Sequence, residues 1–190
     1  MDSPYDCFDS IEIFLGLGAN IGDPAANLKS AFSEIKCRIL KDAELSSLYI
    51  TEPQDVKKQP EFVNAACTGL YSGSAFDLHN ALSLIENDLG RNRNIEQRRG
   101  RRMIDIDILY FGGMIIDYGR ESEGEGKWLR IPHERLRQRK FALVPLLELA
   151  PELVDPASAK PYSYFNDLLS GQGIYTFDAV SYIKAHGAES

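Results

Sequence analysis

Two apolar runs joined by a short connection set the tightest limit on how this chain can fold. Glu44 to Thr51 (ELSSLYIT) and Phe62 to Tyr71 (FVNAACTGLY) each read as a strand, and only ten residues separate them. A parallel pair needs a crossover of about a dozen residues or more, so these two strands are expected to run antiparallel. Upstream, Glu12 to Gly18 (EIFLGLG) is a short apolar strand ending in a turn cluster from Gly18 to Asp23. Asp23 is placed to cap a helix with Pro24 at its first position, and Leu28, Ala31, Phe32, Ile35 and Ile39 then recur at helical spacing to about Leu40. Ser74 caps a second helix with Leu78, Ala81, Leu82, Ile85 and Leu89 on its apolar stripe, and Gly90 ends it. Met103 to Phe111 (MIDIDILYF) is the strongest strand in the chain. The order β-α-β-β-α-β predicts a ferredoxin-like α+β sandwich. A doubly wound parallel sheet is the alternative, and the antiparallel pair disfavours it.

Further along, Gly112-Gly113 predicts a hairpin turn into a short strand from Met114 to Ile116. Residues 117–127 are acidic and contain glycine, which reads as a loop. Phe141 to Leu149 (FALVPLLEL) reads as a buried helix or an extended segment broken at Pro145. Short helices are expected at Tyr164–Leu169 and Asp178–Ala185 as extra C-terminal elements. The expectation is one domain over residues 1–190, with a core of about 12–155 and a C-terminal extension over 156–190.

With 44% hydrophobic and 26% charged residues the chain is of ordinary globular composition. It has no run of 18 apolar residues to span a membrane, and its acidic first ten residues lack the apolar stretch of a secretory signal. Cys7, Cys37 and Cys67 stand thirty residues apart, a sparse, odd set that fits a reducing cytoplasm. The net charge of −7 disfavours a nucleic-acid or anionic-membrane surface. Cations nevertheless cluster. Residues 91–102 hold Arg91, Arg93, Arg98, Arg99, Arg101 and Arg102 against Glu96 alone, and residues 127–140 hold six more against Glu134. Arginine outnumbers lysine in both, and its planar fork suits bidentate phosphate contacts, so a locally held anionic ligand is expected.

Chemistry concentrates at Asp105-Ile106-Asp107. Residues i and i+2 of a strand share a face, and two carboxylates about 6 Å apart repel by about 3 kcal/mol at an effective dielectric of 20. Leu109 and Phe111 are expected to continue the same face, so it is not a plain solvated one. A divalent cation would remove the repulsion. Mg2+ takes one or two carboxylates plus substrate phosphates, and a pair of such ions suits phosphoryl transfer. No Walker A sequence is present, and Gly16-Leu17-Gly18 lacks dinucleotide spacing. Phe62 and Asn64 share one strand face, an aromatic for stacking and a carboxamide for a heterocycle's polar edge. No nucleophile triad is evident, so in-line transfer without a covalent enzyme intermediate is expected.

Taken together these segments resemble the 6-hydroxymethyl-7,8-dihydropterin pyrophosphokinase family. Its signature stands here as Arg98-Arg99-Gly100-Arg101-Arg102-Met103-Ile104-Asp105-Ile106-Asp107. Supporting matches are Gly16 to Asp23, Ser46 to Pro53, Gln59 to Asn64, Leu89 to Arg93, and Ile131-Pro132-His133 followed by Arg139 and Phe141. The resemblance implies transfer of pyrophosphate from ATP to the pterin hydroxymethyl group with release of AMP, in folate biosynthesis. It implies two Mg2+ ions on Asp105 and Asp107, and Arg91 and Arg102 as catalytic cations. Phe62 and Phe141 would sandwich the pterin, with Asn64, Thr51 and Pro53 at its polar edge. Glu86, Arg93, Ile108, His133 and Arg139 would bind ATP, and Gly90 to Gly100 would close over the substrates. Members are often joined to neighbouring folate-pathway enzymes, so fusion or association is expected. The chain departs from the family's usual residues at Arg99, Arg101 and Glu134. A catalytically weak homologue acting as a binding or assembly domain is the second reading.

Overall fold

The computed structural model describes residues 10–53, 59–91, 100–119 and 128–178. Strand β1 (Ile11–Ala19) lies at the centre of an antiparallel sheet, between β4 (Phe62–Tyr71) and β5 (Asp105–Phe111). Beyond β4 come β2 (Lys41–Leu45) and β3 (Tyr49–Thr51), both antiparallel to it. Helices α1 (Pro24–Arg38) and α2 (Ala75–Asp88) supply the crossovers. The antiparallel pair and the ferredoxin-like plan expected from the sequence are therefore both present.

Local chemistry explains the helix starts. The Asp23 side chain accepts from the Ala26 N–H at 3.0 Å with Pro24 next in line, and Ser74 Oγ accepts from the Asp77 N–H at 3.1 Å. Leu28, Ala31 and Ile35 of α1 and Leu78, Leu82 and Ile85 of α2 pack on Ile13, Leu15, Leu17, Val63, Ala65, Ile106 and Ile108. That layer is the main core.

Several expectations are corrected. The single strand Glu44–Thr51 is two strands, because the three residues between Leu45 and Tyr49 face only the two between Cys67 and Asn64. The surplus is absorbed at buried Ser46, whose N–H donates to the Ala66 carbonyl at 2.9 Å while its Oγ accepts from the Ala66 N–H at 3.0 Å. Strand β5 begins at Asp105 rather than Met103.

It also carries a bulge. Phe14 pairs with Tyr110 but Leu15 pairs with Ile108, so Leu109 is an extra residue. The side-chain alternation flips there. Leu109 stays on the face of Asp105 and Asp107, whereas Phe111 turns to the opposite face and joins the main core.

The expected hairpin after Gly112-Gly113 does not return onto β5. Both glycines have positive φ and the Met114 N–H donates to the Phe111 carbonyl at 2.9 Å, so the turn itself forms. The chain then leaves the sheet edge, and β6 (Ile116–Tyr118) pairs with β7 (Leu129–Ile131), whose Leu129 and Ile131 are buried in the main core.

The C-terminal part adds a third layer. A 3-10 turn (Leu136–Gln138), α3 (Lys140–Leu149) and α4 (Tyr162–Asp167) cover part of the second sheet face. There Phe14 and Leu109 pack with Leu136, Ala142, Leu143, Leu146 and Tyr162. Helix α3 runs through Pro145 unbroken. Losing one backbone hydrogen bond is offset by burying Ala142, Leu143, Pro145 and Leu146 together against the sheet. Helix α4 starts two residues earlier than expected, at buried Tyr162, and a short edge strand β8 (Tyr175–Thr176) pairs with β3. Nearly all of the helix expected at Asp178–Ala185 and most of the loop 117–127 lie outside the described residues.

Candidate active site

The uncovered remainder of the second sheet face carries the acids. Across the three central strands Asn64, Gly18 and Asp105 stand in one row, and Ala66, Gly16 and Asp107 in the next. Opposite residues of neighbouring strands share a face, so the middle of this patch is made of residues with almost no side chain. A Cβ on Gly18 would come within 3.1 Å of Asn64 Oδ1, and one on Gly16 within 3.1 Å of Leu109 Cδ2. The glycines open a trough, with carboxylates along one side and Asn64 along the other.

The two aspartates have different surroundings. Asp105 Oδ1 lies 2.6 Å from Arg91 Nη1, and its Oδ2 is bonded by Arg102 Nη1. Burial pushes its carboxyl up, but the charges of Arg102 and Arg91 outweigh that and hold it below the ordinary 3.8. Repulsion between the acids is thus answered by arginines. Asp107 is more open: its Oδ2 is 3.8 Å from His133 Nε2 and 4.0 Å from Arg139 Nη1, and its side chain is 38% exposed. His133 Nδ1 accepts from the Arg135 N–H at 3.1 Å, so in the neutral ring the proton sits on Nε2, the nitrogen nearer Asp107.

Glu86, from α2, is 1% exposed. It accepts from the Ile106 N–H at 2.7 Å and from Arg91, so it sits behind the Arg91–Asp105 pair and aims the guanidinium. Because the Ile106 N–H points away from β1, the backbone of Ile108 two residues on also faces the open edge of β5. The Ile108 side chain, in contrast, is buried among the main core on the opposite face from the acids.

On the other flank Asn64 Nδ2 donates to Thr51 Oγ1 at 2.8 Å, both residues being buried. Pro53 follows just beyond β3. Phe62 opens β4 with the Arg102 guanidinium 5.8 Å from its ring centre, and Phe141, in the first turn of α3, has that of Arg139 at 5.5 Å. Each candidate stacking ring therefore has a cation from the acid side beside it. Arg93, Arg98 and Arg99 lie outside the described residues.

Two features escape a reading of the sequence. Asn20, 3% exposed, exchanges backbone and side-chain hydrogen bonds with Arg102 (Asn20 N–H to the Arg102 carbonyl at 3.1 Å, Arg102 N–H to Asn20 Oδ1 at 2.8 Å). It also reaches Gln59 Oε1 and the Pro60 carbonyl, both at 3.3 Å, tying the turn after β1 to both flanks of the trough. Its only sequence signal is an Asn in a Gly-containing turn after a strand. In the second cationic window, Arg130 is matched by Asp117 at 2.9 Å and Glu134 at 3.2 Å, and Arg137 by Asp155 at 2.6 Å. That window is therefore not one phosphate-binding surface, and Glu134 is turned to Arg130.

Among the described residues no group of three or more His, Cys, Asp or Glu side chains could hold a metal unaided, and no helix is long and apolar enough to cross a membrane.

The family model for 7,8-dihydro-6-hydroxymethylpterin-pyrophosphokinase (HPPK) matches residues 14–151. The chain is 35% identical over 167 residues to the folic acid synthesis protein fol1 of Schizosaccharomyces pombe, covering 87% of this chain and 21% of that protein. It is 38% identical over 144 residues to a mitochondrial folate synthesis bifunctional protein of Arabidopsis thaliana, covering 76% and 24%. To the 2-amino-4-hydroxy-6-hydroxymethyldihydropteridine pyrophosphokinase of Pseudomonas aeruginosa it is 33% identical over 142 residues, covering 74% and 82%. It thus spans about a fifth to a quarter of the length of the first two relatives and most of the third. In fold it is similar to the wild-type HPPK-DHPS of Plasmodium falciparum, with a TM-score of 0.66 at 14% identity over 85% of this chain and 45% of that one.

Proposed function

Because the chain belongs to the 7,8-dihydro-6-hydroxymethylpterin-pyrophosphokinase family, we propose that it transfers pyrophosphate from ATP to 6-hydroxymethyl-7,8-dihydropterin, releasing AMP, in folate biosynthesis. The observation that carries this reading is the glycine-floored trough with Asn64 on one side and Asp105 and Asp107 on the other.

In this reading the pterin ring stacks on Phe62 and Phe141, while Asn64, Thr51 and the backbone near Pro53 meet its polar edge. The buried Asn64–Thr51 hydrogen bond supports a fixed carboxamide, which is what selection of a heterocycle by hydrogen-bond pattern requires. The triphosphate lies by Arg91, Arg93, Arg102, His133 and Arg139. Ile108 contributes through its backbone at the strand edge. Glu86 acts as a positioning residue under Arg91.

The donor set fits magnesium: two hard carboxylates on one face, too few for a protein-only cage, leave coordination positions for phosphate and water. Asp107 would hold the metal directly, and Asp105 through its Oδ2 once Arg102 moves from it to a phosphate, Arg91 staying on Glu86 and Asp105 Oδ1. Two Mg2+ ions are proposed; when bound they neutralise the triphosphate and polarise the transferred group.

The chain's own part is positioning and charge. Attack by the pterin hydroxymethyl oxygen on the β-phosphorus breaks the bond to the bridging α-phosphate oxygen, which leaves with AMP, while the hydroxyl proton is released to solvent. Negative charge develops on that oxygen, and fixed guanidinium groups stabilise it without reorganising. His133, protonated at Nε2, donates to a phosphate oxygen. The binding of Arg91 by both Glu86 and Asp105 supports pre-organisation of this kind. Cys37 and Cys67 are free, which supports a reducing, cytoplasmic setting, and fusion or association with other folate-pathway enzymes is proposed by analogy with the bifunctional relatives.

The test is AMP release from ATP with the pterin and Mg2+. Turnover that disappears in Asp107→Ala upholds the reading. A folded wild type that binds both substrates without releasing AMP would favour the binding-domain alternative.

A further inference from the structure

The backbone that carries Arg139 is held from far along the chain. Gln172 Nε2 donates to the Gln138 carbonyl and Gln172 Oε1 accepts from the Lys140 N–H, both at 2.9 Å. The two groups held belong to the peptide planes on either side of Arg139. Fixing both planes fixes both backbone torsions of that residue, which is extended (φ −124°, ψ 100°) between the 3-10 turn and α3.

The contact also meets a need of α3. Arg139 makes no side-chain cap, and the first N–H groups of a helix have no partner within it. A carboxamide offers a donor and an acceptor on one short plane, so one side chain can hold both groups. A second strut stands beside it. Arg137 is bonded at 2.6 Å by Asp155, which is fully buried, and its guanidinium lies 5.4 Å from the Phe165 ring centre. Asp155, Phe165 and Gln172 therefore grip the segment that places Arg139 4.0 Å from Asp107 and beside the Phe141 ring.

We propose that Gln172 is a positioning residue for substrate binding, setting the direction of Arg139 and, through the first turn of α3, of Phe141. This rests on the pyrophosphokinase reading, because that reading gives Arg139 and Phe141 their ligands.

The test uses the full chain with Gln172→Ala and Gln172→Met, the latter keeping the length of the side chain but neither hydrogen bond. Titration calorimetry with Mg2+ and a non-hydrolysable ATP analogue, steady-state AMP release and thermal melts are measured together. Both variants are expected to raise the analogue's Kd and the KM for ATP about tenfold, the effect of losing two neutral hydrogen bonds in part. The kcat is expected to stay within about threefold, since uniform binding is what is lost. Wild-type affinity in Gln172→Met, with only Gln172→Ala impaired, would reduce Gln172 to a space-filler and overturn the proposal. Wild-type affinity in both variants would also overturn it. A wild type that binds no analogue would bring down the functional reading and this proposal with it, so the two failures are distinct.

Discussion

The two acids on β5 are expected to be unequal in stability although both matter for turnover. Asp105 lies within 2.6 Å of Arg91 and is also bonded by Arg102, and the three side chains are 24%, 11% and 17% exposed. Removing one partner of a fully buried ion pair costs about 3–5 kcal/mol. Here Arg91 keeps Glu86 as a partner and the site is partly solvated, so Asp105→Asn should cost about 2–3 kcal/mol. Asp107 has its nearest cations at 3.8 and 4.0 Å and is 38% exposed, so Asp107→Asn should change stability by less than about 1 kcal/mol.

Urea unfolding at pH 7 without Mg2+ measures both. The pH dependence gives a second reading. The carboxyl of Asp105 is held below 3.8 in the folded chain, so its stabilisation is complete above the unfolded value and fades as pH falls through the lower folded one. The gap between wild type and Asp105→Asn should therefore be widest above about pH 5 and narrow below pH 4. Equal stability of the two variants at pH 7, or a gap that widens in acid, would refute this account of how the arginines hold Asp105.

Other substitutions probe neighbouring contacts. Glu86→Gln keeps an acceptor for the Ile106 N–H but loses the charge facing Arg91; it should cost about 2 kcal/mol in urea unfolding and slow AMP release, and a cost near zero would contradict its role beneath the arginine. Gly18→Ala sets a methyl 3.1 Å from Asn64 Oδ1, a carboxamide that Thr51 prevents from retreating, so affinity for the pterin should fall at least about fivefold in a fluorescence titration with little change in Tm. Tyr49 donates to Glu148 at 2.7 Å, and burial followed by that carboxylate pushes its hydroxyl up to about 12. Its stabilising contribution should be intact below pH 10 and decline towards 12, so wild type and Tyr49→Phe should converge over that window in thermal melts.

Features written in local sequence were legible. The Asp23 and Ser74 caps, the helical stripes behind them and the antiparallel pair formed by a short connection all depend on residues close together in the chain. The acid pair was legible because an i, i+2 spacing in an apolar strand leaves few alternatives. What could not be read depends on distant partners. Nothing near Arg137 announces Asp155, and nothing near Glu86 announces the Ile106 N–H, so the carboxylates that meet these groups could not be named from the sequence. The splits at Ser46 and Leu109 come from matching strands of unequal residue count, a property of the pair and not of either strand alone.

The surplus residue in β5 works like a change of reading frame. Upstream of it the pleat is phased by chemistry, with both acids turned to the trough; downstream it is phased by packing, with Phe111 sealed under the helices. Deleting Leu109 would force one phase on the whole strand. Either the carboxylates would be driven into oil or the ring would be left in water, so this single position is where the demands of reactivity and of folding are reconciled.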